Sequence, residues 1–208
     1  ATKPDTDVWR QSFRDDRASL LVERDEEAQI ATLPMHPRRA LAELREALPQ
    51  NAIVTLDTGN TCLQAADRLA HYEPLSLITP LDFGLVGFGL AAAIGAKAAS
   101  PDRPVVAIMG DGGFWHNGLL SGVSSTLLNE GDGVLVIMKN GYTSATGTQE
   151  TVSSPTSQSK LVAEGRSATG VELTIEKTLK GMGVKWLKTV HNYHVATVRD
   201  TVRQALNS

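Results

Sequence analysis

Cysteine is nearly missing: Cys62 is the single one among 208 residues. An intramolecular disulfide is thereby excluded, and so are a four-thiolate iron–sulfur cluster and a cysteine-based zinc site within the chain. That usage fits a reducing cytoplasm. A lone Cys62 reads as a packed helix residue rather than a nucleophile. Long apolar runs are missing too, since none approaches the ~18–20 residues that cross a bilayer. Neither sign of charge dominates. With 20 basic and 23 acidic residues the net charge is −3, so neither nucleic acid nor a membrane surface is an expected partner. The polar opening "ATKPDTDVWRQSFRDD" does not read as a signal peptide, and the lack of an initiator Met points to a processed chain or a fragment of a longer one.

What is present suffices for one good-sized domain: 41% of the residues are hydrophobic and 21% charged. Residues 1–34 are charge-rich with scattered apolar positions at Trp9, Phe13, Leu20, Leu21 and Val22, and read as a linker or connecting helix that ends at Pro34 and Pro37. The domain is expected over 35–208. There, helical spacing in "PRRALAELREAL" precedes a strand, "AIVTLD", and a helix over about 61–71. A short strand "LSLIT", a glycine-rich loop "LDFGLVGFG" and a small-residue helix "LAAAIGAKAA" follow. Next come the strand "PVVAIMG", a turn "DGG" and a helix over about 114–129. The apolar run "GVLVIM" then predicts a strand buried on both faces. After a long polar segment over about 141–172 come helix "TIEKTLKGMG", strand "VKWLKTV" and helix "HVATVRDTVRQAL". Strands alternating with helices predict an α/β fold, a parallel sheet with helices on both faces.

In such a sheet, ligands bind beyond the carboxyl ends of the strands, where helix N-termini present free N–H groups. Three loops fall there: "DTGN" (Asp57, Gly59, Asn60), "GDGG" (Gly110, Asp111, Gly112, Gly113) and "KNGYTSATG" from Lys139. Glycine lets backbone amides approach a phosphate closely. A carboxylate and a side-chain amide suit the oxygen shell of Mg²⁺. Asp111 and Asn140 are 29 positions apart, one helix plus one strand, which puts them at the ends of successive strands. For "GDG" alone, a tight turn is an equal account. A dinucleotide fingerprint is a poor match to "GFGLAAAIG", whose glycine spacing is wrong.

"GDG" after an apolar strand, followed by a helix and an apolar strand ending in Asn, resembles the diphosphate-and-metal motif of thiamine diphosphate enzymes. The resemblance implies thiamine diphosphate and Mg²⁺ as cofactors, with Asp111, Asn140 and the backbone carbonyl of Tyr142 as metal ligands. Lys139 stands where the family usually has a first Asn. Thr143 and Ser144, with Thr146, are candidates to meet diphosphate or substrate. "FGLVGFGLAAAIGAKAA" is similar to the loop of acetolactate synthase-like enzymes that faces the aminopyrimidine. It implies that Val86 is the wedge between the two rings and that the Gly84 carbonyl accepts from the 4′-amino group. "MHPRRALAELREALPQNAIVTLDTGN" and "GAKAASPDRPVVAIMGDGGF" resemble acetolactate synthase and related decarboxylases. "GDGGFWHNGLLSGV", "VLVIMKNGYTSATGTQ" and "IEKTLKGMGVKWLKTV" resemble the alpha subunit of indolepyruvate ferredoxin oxidoreductases.

The resemblance implies decarboxylation of a small-molecule 2-oxoacid by an oligomeric enzyme, with the oxidoreductase as first expectation and a synthase-like decarboxylase or carboligase as the alternative. A cofactor-binding module without catalysis is a third. The activating glutamate of the family comes from a pyrimidine-binding domain or subunit, and no glutamate here has a matching context. The chain is therefore expected to supply half a site. His116 and Trp115, just past the motif, read as helix residues outside the chemistry, and His71, His191 and His194 as surface residues. The Ser/Thr-rich stretch in "SSPTSQSK" and "EGRSATG" reads as a lid or as a disordered surface loop.

Overall fold

The computed structural model describes residues 6–154, 174–191 and 194–208. Four strands, Ile53–Leu56 (β1), Leu77–Ile78 (β2), Val105–Gly110 (β3) and Val134–Met138 (β4), form a parallel sheet in the order β2-β1-β3-β4. The register runs Ile53 to Val105 and Leu56 to Ile108 across β1 and β3, then Val106 to Val134 and Gly110 to Met138 across β3 and β4. Parallel neighbours need crossovers, and helices supply them. Asn60–Arg68 (α3) links β1 to β2, and Phe88–Ala99 (α4) links β2 to β3. Between β3 and β4 the chain turns helical at once: Asp111–Gly113 (α5), a π-helical stretch Phe114–Val123, and Ser124–Leu128 (α6).

Side chains alternate across the sheet, so each strand feeds two cores. Val54, Leu56, Val106 and Ile108 pack against Leu41, Leu44 and Ala47 of the helix Pro37–Ala47 (α2), Cys62 and Ala65 of α3, and Val202 of the final helix Val195–Leu206 (α8). On the other face Ile53, Val105, Ala107 and Met109 meet Leu90 and Ala93 of α4, Phe114, and Leu179 of Ile175–Gly181 (α7). Burying each of these large side chains contributes about 1.5–3 kcal/mol. Pro37 at the first helical position and the His36 imidazole, which accepts from the Arg38 amide, start α2. No helix among the described residues is long and apolar enough to cross a membrane.

Several expectations change. Residues 184–190, predicted as a strand, carry no ladder; Val184, Leu187 and Val190 are half-buried at a period of three, whereas a strand buries every second residue. The "DGG" turn is the first turn of a helix, because Gly110 still pairs in β3 and Asp111 already opens α5. Within 1–34, read as a linker or connecting helix, Asp7–Ala28 is indeed a helix (α1) of 22 residues, none of them buried. Its last turns lie against the domain, where Arg24 pairs with Asp67 and Glu27 with Arg38 and Arg68. The polar segment opens with a small hairpin, Tyr142–Thr143 (β5) against Gln149–Glu150 (β6). "EGRSATG" and all of "SSPTSQSK" after Ser154, where a lid was expected, lie outside the described residues.

Candidate functional site

A pocket opens where β1, β3 and β4 end. From the β1 side it is walled by Thr58, Gly59, Asn60 and Thr61. Gly110 to Gly113 line it from the β3 side, and Met138, Asn140 and the run Tyr142–Thr146 from the β4 side. Val86, from the loop before α4, completes the wall. Adjacency of β3 and β4 makes this possible: Gly110 pairs with Met138, so Asp111 and Asn140 lie one and two residues past one register position. The three loops are tied together. Asp111 Oδ2 accepts from the Gly141 amide at 2.8 Å, Asn140 Oδ1 from the Tyr142 amide at 3.1 Å, and Asn60 Nδ2 reaches Ser144 Oγ at 3.4 Å.

Asp111 is 1% exposed, yet it lines the pocket. It begins a helix, so the amides of Asp111, Gly112 and Gly113 have no intrahelical acceptor. Gly59 similarly caps α3. A methyl placed on Gly110 or Gly59 would meet no protein atom within 4 Å, so both glycines border open space. Open glycine walls, helix-start amides, and oxygen donors on Asp111, Asn140 and the Tyr142 backbone fit a diphosphate carried with a hard divalent cation.

Two expected site residues face elsewhere. Asp57 does not line the pocket. Its carboxylate accepts from Gly87 N at 3.1 Å and Gly89 N at 3.0 Å, so it caps α4, while Thr55 Oγ1 donates to the Gly89 carbonyl at 2.7 Å. The physical reason is the demand of the α4 amides for an acceptor, which this buried acid meets. Burial pushes the Asp57 carboxyl up, and the hydrogen bonds from Gly89 and Gly87 oppose that shift. Gly84 also stays out of the wall; it has φ of 60°, and its amide donates to the Pro80 carbonyl at 2.7 Å.

Lys139 does not line the pocket either. Its charge helps hold the Glu176 carboxyl low, after the larger effect of the backbone hydrogen bond at Glu176 itself. Thr58, Thr61, Met138 and Ala145 line the pocket without having been singled out, although Thr58 and Ala145 belong to loops expected there. The hydroxyls of "DTGNT" were the available signal for the first two; Met138 ends an apolar run and gave none. Cys62 is buried, its sulfur 3.3 Å from Thr79 Oγ1. His116 is exposed and Trp115 donates to Ser153 Oγ at 2.8 Å, both outside the pocket wall. His71 is half-buried rather than a surface residue, and burial, with the Arg45 charge adding, holds its imidazole below the ordinary range.

This fold and this pocket define a cofactor-binding α/β domain. Residues 57–208 match the family of thiamine pyrophosphate enzymes, C-terminal TPP binding domain, and the chain belongs to that family. It is 44% identical over 80 residues to a sulfoacetaldehyde acetyltransferase of Alcaligenes xylosoxydans xylosoxydans, a match spanning 38% of this chain and 13% of the relative. Over 77 residues it is 43% identical to the acetolactate synthase isozyme 2 large subunit of Escherichia coli, spanning 37% of this chain and 14% of that one. Among solved structures, the thiamine diphosphate-dependent 4-hydroxybenzoylformate decarboxylase of Rhodococcus jostii superposes with a TM-score of 0.59 at 25% identity. It covers 83% of this chain and 30% of its own. The matches thus span 13–14% of the two curated relatives and 30% of the solved structure, under a third of each.

Proposed function

We propose that this domain, running from about residue 35 to 208, holds the diphosphate end of thiamine diphosphate with Mg²⁺ and serves an enzyme that decarboxylates 2-oxoacids. One observation carries the proposal: Asp111, Asn140 and three glycine-bordered loops converge in one pocket at the ends of adjacent parallel strands. Asp111, Asn140 and the Tyr142 carbonyl would hold the cation. The amides of Gly110, Gly112 and Gly113, with Gly59, Asn60, Thr143 and Ser144, would receive the diphosphate. Val86 would bear on the rings beyond it. Gly84, outside the wall, would act only through the course of the loop that carries Val86. When bound, the cofactor supplies an electron sink for a carbanion next to a carbonyl.

The relatives' names support a decarboxylase or carboligase of the acetolactate synthase type. The indolepyruvate oxidoreductase reading rests on "GDGGFWHNGLLSGV" and "VLVIMKNGYTSATGTQ". It requires electron carriers on another region or partner, since one cysteine cannot ligate a cluster. Completion by a pyrimidine-binding domain accords with the family's description of this domain as C-terminal, while an oligomeric, cytoplasmic enzyme rests on the sequence resemblance and on the single cysteine. Calorimetry with thiamine diphosphate, with and without Mg²⁺, tests the assignment. Binding is expected to require the metal, and Asp111→Ala to weaken it by more than the roughly 100-fold ceiling typical of residues that merely support a ligand. Metal-independent binding, or binding unchanged in Asp111→Ala, overturns it.

A further inference from the structure

We infer that Ser154 is a positioning residue for the cation loop, acting on the peptide between Gly141 and Tyr142; this rests on the cation site proposed above. That peptide is gripped at both ends. Its N–H, on Tyr142, donates to Asn140 Oδ1 at 3.1 Å, and its carbonyl, on Gly141, accepts from the Ser154 hydroxyl. The preceding amide, on Gly141, donates to Asp111 Oδ2. One short stretch of backbone therefore orients both side chains proposed as ligands and sets the direction in which the Tyr142 carbonyl leaves the chain. Gly141 itself has φ of 90°, so its own dihedral preference does little to fix the peptide; outside contacts do.

The hydroxyl cluster behind Ser154 is ordered by its proton count. A serine has one O–H proton, and Ser154 spends it on Gly141. Its contacts with Thr151 N at 2.8 Å and Thr151 Oγ1 at 3.1 Å are then bonds that Ser154 accepts. Trp115 Nε1 can only donate, so Ser153 accepts from it at 2.8 Å and keeps its own proton for Thr151 Oγ1 at 3.4 Å. The direction is uniform: Trp115 to Ser153, to Thr151, to Ser154, to the Gly141 carbonyl. Thr151, Ser153 and Ser154 are buried, at 9%, 7% and 2% exposure, so water does not compete for these bonds. The chain joins the π-helical stretch that follows Asp111 to the loop that carries Asn140. Both halves of the proposed cation site are thereby held in one frame.

Mn²⁺ binding to the full chain at saturating thiamine diphosphate, read by electron paramagnetic resonance of the free ion, tests this. Ser154→Ala is expected to weaken Mn²⁺ binding about tenfold, the measure of one well-placed hydrogen bond. Thr151→Val, of equal volume but without the hydroxyl, should move the same way, and Thr151→Ser should restore the parental affinity. A purely structural role would lower the melting temperature without separating Thr151→Val from Thr151→Ser in affinity. The Thr151 pair also decides the matter should Ser154→Ala fail to fold. Parental affinity in both Ser154→Ala and Thr151→Val, alongside loss in Asp111→Ala, overturns the inference alone. Parental affinity in Asp111→Ala overturns the cation site and the inference with it.

Discussion

A methyl group added at Gly110 and one added at Gly112 meet different neighbours, although the two glycines flank the same carboxylate. At Gly110 the new Cβ finds no protein atom within 4 Å, and its φ of −78° is ordinary for alanine. Gly110→Ala is therefore expected to melt like the parent while losing affinity for thiamine diphosphate. At Gly112 the Cβ would lie 2.5 Å from Thr143 Oγ1 and 3.0 Å from Thr143 Cβ, a contact inside the protein. Gly112→Ala should cost about 1–3 kcal/mol of stability before any ligand is present. Thr143→Ala in the same chain should recover part of that loss, as a double-mutant cycle of urea melts would record. Equal destabilisation by the two glycine substitutions would contradict the open space at Gly110. At this scale the sequence was legible where a residue type has one main use, as with Asp111 and Asn140 in an oxygen-donor pattern. Asp57 was not legible in the same way. A carboxylate beside glycines suits a phosphate site or a helix cap equally well, and only the arrival of α4 decides between them.

Elements were legible in proportion to how much one stretch of chain determines its own partner. β1 and β3 are buried on both faces, so their near-continuous apolar runs, broken in β1 only by Thr55, identify them without any knowledge of neighbours. The 184–190 segment is rich in residues that favour strands, but strand formation needs a free edge in register, and no such ladder forms. The π-helical Phe114–Val123 was equally hidden, because its apolar residues suit ordinary helical spacing. Its glycines hint at the reason for its course: a Cβ on Gly118 would lie 2.9 Å from Met109 Cε, and one on Gly122 would lie 2.4 Å from Leu90 Cδ2. The stretch runs closely against β3 and α4, and side chains there would push it away. α1 is an element of another kind, held by ion pairs at one end. Glu27 bridges Arg38 and Arg68 with its side chain 18% exposed, so its partners are only partly screened by water. Glu27→Gln is expected to cost about 1 kcal/mol of α1 docking and to raise proteolytic cleavage within α1 roughly fivefold. The core formed by α2, α3 and α8 should keep its resistance. Unchanged cleavage of α1 would mean that its docking rests on packing instead.

The whole molecule carries a pocket suited to the tail of a cofactor, with Asp111 as the acid in its wall. Among the described residues no glutamate lines the pocket. Glu43 is buried against Arg39 at 2.8 Å and Arg199 at 3.7 Å, Glu27 is held in its ion pairs, and Glu176 accepts from Thr189. The relatives are several times longer than the match, which leaves ample chain in such enzymes for a second, pyrimidine-facing domain. Binding and turnover should therefore separate. The chain alone, with thiamine diphosphate and Mg²⁺, is expected to bind the cofactor by calorimetry. It is also expected to release no carbon dioxide from pyruvate or indolepyruvate beyond the cofactor's own rate. Supplying a pyrimidine-binding domain in trans should start release. The electron count then separates the two reaction classes: carbon dioxide released with reduction of an added iron–sulfur acceptor belongs to an oxidoreductase. Release with an aldehyde or a condensed hydroxyketone, and no reduced acceptor, belongs to a decarboxylase or carboligase. Turnover by the isolated chain would show that a group within these 208 residues activates the cofactor, and would place the missing acid outside the glutamates accounted for above.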